Sequence, residues 1–370
     1  MPTMQLPPPL QSVDRTRILW QGRKLTFFGG CDYFRLATHP AVLRAVRHGL
    51  QRFGLNASAS RMTTGNHPIY EKLELNLAQF FGVESALLAS NGWSPNLMVA
   101  QALAARFSHA LIDERAHGCL VDAAQLLDCP VIRFKHRNAA DLAKVLRRLG
   151  QTHPILLTDG LFAHSGEVAP LKEYLAALPP GAMMLVDDAH GAGVLGKRGR
   201  GTPEYLRVTS RQIIQTISLS KAFGVFGGAV LGNRALRTAI LERSRVFVGS
   251  TPLPPPLANA ALVSLDVLRK GTKLRALLRE NARHVRDQLR SGGIPVADPP
   301  GPIVSLDPMP ARSASRLEQR LVKAGIHPPL IRYPGGPEEG YFRFVISSEH
   351  CREELNRLAE TIVSGLKTAK

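Results

Sequence analysis

Seven short apolar runs, separated by amphipathic stretches, constrain this chain more than any other feature. They are Ser85–Ala89, His109–Ile112, Val131–Phe134, Ile155–Leu157, Met183–Val186, Ile213–Ile217 and Gly228–Leu231. Stretches such as Tyr70–Phe80 and Asp141–Leu149 carry apolar residues at helical spacing between them. Continuous apolar runs between helical segments read as strands buried on both faces, which is the signature of a mostly parallel sheet in an α/β layer. The expected architecture is therefore a central sheet with helices on both faces plus a small C-terminal α+β domain.

The flanks read differently. Pro7-Pro8-Pro9 is extended, and Ile18–Trp20 with Leu25–Phe28 predicts a hairpin around Gln21-Gly22. A helix is expected after Pro40, from the spacing of Val42, Leu43, Val46 and Leu50. Pro252, Pro254, Pro255 and Pro256 form a rigid elbow, followed by an interrupted helix over Leu257–Gly292. Residues 313–370 read as helix, strands and a final helix.

Charge and cysteines narrow the function classes. The net charge of +18, from 47 Lys+Arg against 29 Asp+Glu, favours anionic partners. The basic residues are dispersed and only 6 % of residues are aromatic, which argues against nucleic acid. A phosphorylated substrate such as a coenzyme A thioester or an acyl carrier suits the charge, as does simple solubility. Cys31, Cys119, Cys129 and Cys351 form no C-x-x-C pair, which fits a reducing compartment. The first residues lack a signal-peptide pattern, and no apolar run reaches the roughly 18 residues of a membrane span. A cytoplasmic protein without membrane partners is expected.

In an open α/β sheet, ligands bind beyond the carboxyl ends of the strands. One run ends in Asp187-Asp188-Ala189-His190-Gly191-Ala192-Gly193. A carboxylate there, with an imidazole three residues on, suits a metal pair, an acid/base pair or an anchor for a protonated ring nitrogen; a capping Asp with a core histidine is the plain structural alternative. Metal is the weaker option, because no second cluster at ligand spacing supports it. Another run ends in Ser218-Leu219-Ser220-Lys221-Ala222-Phe223-Gly224. A lysine flanked by small residues can be desolvated, which frees its amine as a nucleophile toward carbonyls; the bland alternative is a surface lysine in a turn. Ser90–Asn96 reads as a strand, a tight turn and a helix start, which can present N–H groups to a phosphate. No Gly-x-Ser-x-Gly elbow is present, which removes the usual serine hydrolase.

Together these pieces are far more specific than any one of them. A phosphate-type turn, then Asp187 and His190, then Lys221 34 residues after Asp187, resembles the fold-type I pyridoxal phosphate (PLP) enzymes. Within them the chain resembles the α-oxoamine synthases. The marks include Gly65-Asn66-His67-Pro68 with Leu73-Glu74, Asp113 with His117, Thr158-Asp159-Gly160, Gly166–Leu171, Val186–Gly196, Ser220–Gly224 and Ser250-Thr251.

The resemblance implies an enzyme that joins a small amino acid (glycine, alanine or serine) to an acyl thioester with loss of carbon dioxide. The cofactor it implies is pyridoxal 5'-phosphate. Lys221 would carry the cofactor as a Schiff base and move protons. Asp187 would pair with the ring nitrogen, His117 stack on the ring and His190 bond its phenolic oxygen; these four are the catalytic candidates. Gly92, Trp93 and Ser218 would hold the phosphate, with Ser250 and Thr251 reaching that of a neighbouring subunit, which implies a homodimer with shared sites. Arg343, Cys31 and Asn96 would face the substrates, Arg343 binding the amino acid's carboxylate through its planar fork. The domain expectation is an arm over 1–45, a large PLP-binding domain over 46–260, and a linking helix with a small domain over 261–370.

The chain departs from the family pattern at two places. Cys31-Asp32-Tyr33-Phe34-Arg35-Leu36 replaces a stretch that begins with Asn, and Ala163-His164-Ser165 replaces Ser-Met-Asp. Lineage drift and an altered acyl group both account for this. An aminotransferase on the same fold and a non-enzymatic binding protein are the competing readings.

Overall fold

The computed structural model describes residues 6–332 and 338–367. They form two compact units: residues 39–163 with 167–275, and the described parts of 1–38, 164–166 and 276–370. The start of the signal-peptide reading, Met1–Gln5, lies outside the described residues. Among the described residues no helix is long and apolar enough to cross a membrane.

The smaller unit opens with an antiparallel sheet of β1 (Gln11–Ser12), β2 (Arg17–Trp20) and β3 (Arg23–Thr26). The hairpin forms as expected, with Gln21 and Gly22 at φ 48° and 74°. Two positive φ values give the turn a twist that matches its strands.

The larger unit holds β4 (Ser85–Ala89), β5 (Ala110–Asp113), β6 (Val131–Phe134), β7 (Ile155–Asp159), β8 (Met183–Asp187), β9 (Ile213–Ser218) and β10 (Gly228–Gly232). They form one sheet in the order β4-β10-β9-β8-β7-β5-β6. Only β10 runs against its neighbours. Alternate residues of each strand enter different cores. Leu157 and Leu185 pack with Met98, Leu120 and Ile240, whereas Leu156, Met184 and Val186 pack with Leu142, Leu171 and Tyr174. Both faces are covered, so the runs are apolar without alternation.

Helices Pro40–Phe53 and Pro68–Phe81 start alike. A histidine precedes each proline, and Nδ1 of His39 and of His67 accepts the N–H of Ala41 (3.3 Å) and Ile69 (3.1 Å). Proline at the first helical position needs no N–H partner, and the imidazole satisfies the next donor. The expected long helix is two, Pro255–Lys270 and Thr272–Ser291, broken at Gly271.

The C-terminal part of the smaller unit carries β11 (Ile303–Ser305), β12 (Leu330–Ile331) and β13 (Tyr341–Val345), ordered β11-β13-β12 and antiparallel. Phe342 and Phe344 are fully buried in a core with Phe28, Val285, Leu321, Leu358 and Ile362. Arg343 stands between them on the strand, so its side chain leaves from the opposite face.

Candidate active site

The carboxyl ends of β7, β8 and β9 gather most of the residues singled out from the sequence. Asp159 and Asp187 end adjacent parallel strands and sit directly opposite in the register. Both are buried, at 4 % and 5 % exposure. Two carboxylates this close and this dry do not both ionise readily. Burial, and then the charge of Asp187, push the Asp159 carboxyl well above its ordinary range. Asp159 accepts the backbone N–H of His117 at 2.8 Å, which ties that loop to the sheet.

Asp187 is held on both oxygens. Oδ1 accepts Ala189 N–H at 3.0 Å. Oδ2 accepts the Asn96 amide at 2.7 Å and the Cys119 thiol at 3.1 Å. The other end of the Asn96 amide accepts the Thr216 hydroxyl at 2.7 Å. Asn96, expected to face substrate, is instead fully buried, with its amide spanning Asp187 and Thr216. Asp188 points elsewhere. It accepts Thr202 N–H, the Thr202 hydroxyl and Gln215 Nε2, and burial pushes its carboxyl up to about 7. A Cβ on Gly191 would stand 2.0 Å from its carboxylate, which explains a glycine there.

Lys221 follows β9, and its Nζ lies 2.7 Å from Nε2 of His190. His117 caps the helix Gly118–Gln125, with Trp93 edge-on to its ring at 5.3 Å. Its Nδ1 lies 2.9 Å from Cys119 Sγ. Desolvation, opposed by the charge of Asp187, holds the His117 imidazole below its usual range. The Ser218 and Ser220 hydroxyls bond each other at 2.7 Å. Gly92 lies directly against them: a Cβ there would stand 2.5 Å from Ser218 Oγ. The Trp93 N–H donates to Asn91 Oδ1 at 2.9 Å, which commits a donor the sequence reading assigned to phosphate. Ser250 and Thr251 line a small cleft with Arg61, Tyr70 and Ser90. Arg61 is buried against Glu74, which also binds Arg237 at 3.0 Å and Leu88 N–H at 3.0 Å.

This donor set fits pyridoxal 5'-phosphate. It offers an amine for the aldehyde, a carboxylate for the ring nitrogen, an imidazole beside the amine, and hydroxyls packed on a bare backbone for the phosphate.

Arg343 and Cys31 belong to the smaller unit. The Arg343 N–H donates to Pro329 O at 3.1 Å. Cys31 is half-buried beside Tyr33, which is fully buried and whose hydroxyl is pushed up by that burial and by Cys31. Phe34 and Arg35, in the stretch that departs from the family pattern, are both buried. Arg35 Nη2 donates to Phe27 O at 3.0 Å. His164 packs its ring on Tyr341 at 4.4 Å.

Sequence reasoning gave no role to Cys119 or Asp159. Cys119 follows His117 by two residues, and Asp159 lies within one of the family marks; those were the available signals. The Oδ2, Nδ1 and Sγ atoms of Asp187, His117 and Cys119 lie within 4.8 Å of one another, a grouping their sequence spacing does not reveal.

The chain belongs to the aminotransferase class I and II family, whose profile matches residues 28–362, and within it to the α-oxoamine synthases. It is similar to the 8-amino-7-oxononanoate synthase of Thioalkalivibrio sulfidiphilus, at 37 % identity over 94 % of this chain and 89 % of that protein. The 8-amino-7-oxononanoate synthase of Hahella chejuensis is 34 % identical, over 95 % and 90 %. Among solved structures, a serine palmitoyltransferase from S. paucimobilis with bound PLP-myriocin aldimine superposes with a TM-score of 0.91, at 27 % identity, over 97 % of this chain and 91 % of that one. The 8-amino-7-oxononanoate synthase of Francisella tularensis superposes at 0.81, with 25 % identity, over 93 % and 98 %.

Proposed function

We propose that this chain is a PLP-dependent C-acyltransferase of the 8-amino-7-oxononanoate synthase kind. It condenses a small amino acid with an acyl thioester and releases carbon dioxide and a free thiol. The observation that carries the reading is the placing of Lys221 and the doubly held Asp187 at the ends of adjacent strands β9 and β8.

Bound pyridoxal phosphate supplies an electron sink for the amino acid's α-carbon. The chain's residues do the rest. Asp187 would accept the ring N–H and favour the protonated nitrogen. Lys221 Nζ would hold the cofactor and is placed to take and return a proton at the substrate's α-carbon. His190, 2.7 Å from that amine, orients it and donates to the ring's phenolic oxygen. His117 would lie over the ring face. Ser218 and the Gly92 backbone hold the phosphate. Arg343 grips the substrate carboxylate through two parallel hydrogen bonds.

The assembly we propose is a homodimer, with Ser250 and Thr251 completing the neighbour's phosphate site. The net charge of +18 suits a polyanionic thioester carrier, either coenzyme A or an acyl carrier protein. The described cysteines are free thiols, which supports a cytoplasmic location.

The test is thiol release across glycine, alanine and serine with an acyl-CoA panel, with mass spectrometry of the product. Lys221→Ala should lose the cofactor's visible band and at least about 10³-fold in rate. Amino-group transfer to a keto acid without thiol release would overturn the acyltransferase reading. A wild-type protein that takes up no pyridoxal phosphate ends the proposal.

A further inference from the structure

The Cys119 thiol is buried at 1 % exposure and stands between two groups that the proposed function places on the cofactor. Its Sγ lies 3.1 Å from Asp187 Oδ2 and 2.9 Å from His117 Nδ1. The Asn96 amide donates to Sγ at 3.1 Å and to the same Asp187 oxygen at 2.7 Å. Thr216 fixes which end of that amide faces Asp187, because its hydroxyl donates to Asn96 Oδ1.

We infer that Cys119 and Asn96 form a positioning pair for the cofactor ring, with the single thiol proton shared between Asp187 and His117. The inference rests on the pyridoxal phosphate reading of the site. Its geometry is simple. An aspartate on a strand end can rotate about two side-chain bonds, and donors on both oxygens stop it. A histidine at a helix start can swing likewise. Cys119 is two residues from His117 and reaches both groups, so it links the tilt of one to the position of the other.

The choice of sulfur matters as well. A thiol is a weak donor. It occupies Asp187 Oδ2 without drawing off much of the charge the ring nitrogen needs. Burial, and then the neighbouring Asp187 charge, push the thiol far above its usual range, so it keeps its proton. That rules out a thiolate beside Asp187, and with it like-charge repulsion. The cluster of Asp187, His117 and Cys119 thus works as a hydrogen-bonded group around a proton.

The decisive measurement is the affinity of the cofactor-free protein for pyridoxal phosphate, read with the position of the bound cofactor's visible band. Cys119→Ala removes the donor and should weaken binding about tenfold and move the band, since a hydrogen bond to a charged group is lost. Cys119→Ser restores a donor of similar size and should bind within about threefold of wild type. If Cys119→Ala does not fold, Asn96→Ser, which shortens the other arm, should give the same weakening. Unchanged affinity and band in Cys119→Ala or Asn96→Ser overturns the inference. So does a serine variant as weak as the alanine one, which would mark a role in packing alone. Failure of the wild type to bind the cofactor would instead sink the function reading itself.

Discussion

At the carboxyl edge of the large sheet, Asp159, Asp187 and Asp188 are all buried, and each is met by donors from other elements. In the smaller unit a buried imidazole, His350, is met by one near neighbour, Ser347, and by the Phe27–Phe28 segment far along the chain. Its Nδ1 accepts Ser347 N–H at 3.0 Å, its Nε2 faces Phe27 O at 3.2 Å, and its ring stacks on Phe28 at 4.2 Å. Burial depresses it to about 3, so it stays neutral and serves packing. Asp159 and Asp188 are instead carboxyls that burial pushes upward. A buried group that packing keeps neutral serves the fold; carboxyls crowded at one sheet edge, two of them pushed up by burial, mark a candidate ligand site.

The largest expected effect tests the first half of that contrast. Asp187→Ala removes the acceptor shared by Ala189, Asn96 and Cys119 and leaves the Ala189 N–H without its partner. Thiol-release activity should fall by about 10³-fold or more, and cofactor affinity with it. A variant within tenfold of wild type would mean that the carboxylate is structural, like His350.

Arg343 sharpens the contrast from the other side. It is a charge in the smaller unit that the strand's alternation turns away from the Phe342 and Phe344 core. Arg343→Ala should raise the amino acid's KM about 10- to 100-fold, which is the loss of a charge-assisted bidentate pair. Pyridoxal phosphate affinity should stay within about threefold. Equal losses in both would return Arg343 to the fold.

The seven strands were legible because parallel strands buried on both faces must be apolar throughout, and helices cannot compress that pattern into four or five residues. Lys221, Asp187 and His190 were legible because polar residues stop those runs abruptly, and the order of the motifs added the rest. Asn96 was misplaced. It starts a helix after a phosphate-type turn, and only the tertiary packing of that helix brings its amide to Asp187 and Thr216. Cys119 and Asp159 depend on sheet order: β7 lies beside β8, and the loop carrying His117 is pinned to Asp159. Strand adjacency is not written in local sequence.

The smallest effect is a matter of slope. His350, near 3, and His327, held by burial near 4, both sit below the ordinary histidine value of 6.5. Between those limits the unfolded chain binds more protons than the folded one, so each imidazole costs about 1.4 kcal/mol of stability per unit of falling pH. Asp188 has the opposite sign. Its carboxyl is raised from 3.8 to about 7, so the folded chain binds the extra proton in that window, and stability rises as pH falls. Below pH 7 the two regions therefore work against each other. Asp188→Asn removes one side of the balance. Urea unfolding of that variant between about pH 7 and pH 5 should show stability falling with acid more steeply than in wild type, by up to about 1.4 kcal/mol per pH unit. Parallel slopes would show that Asp188 is already ionised across this range, and that its three donors outweigh its burial.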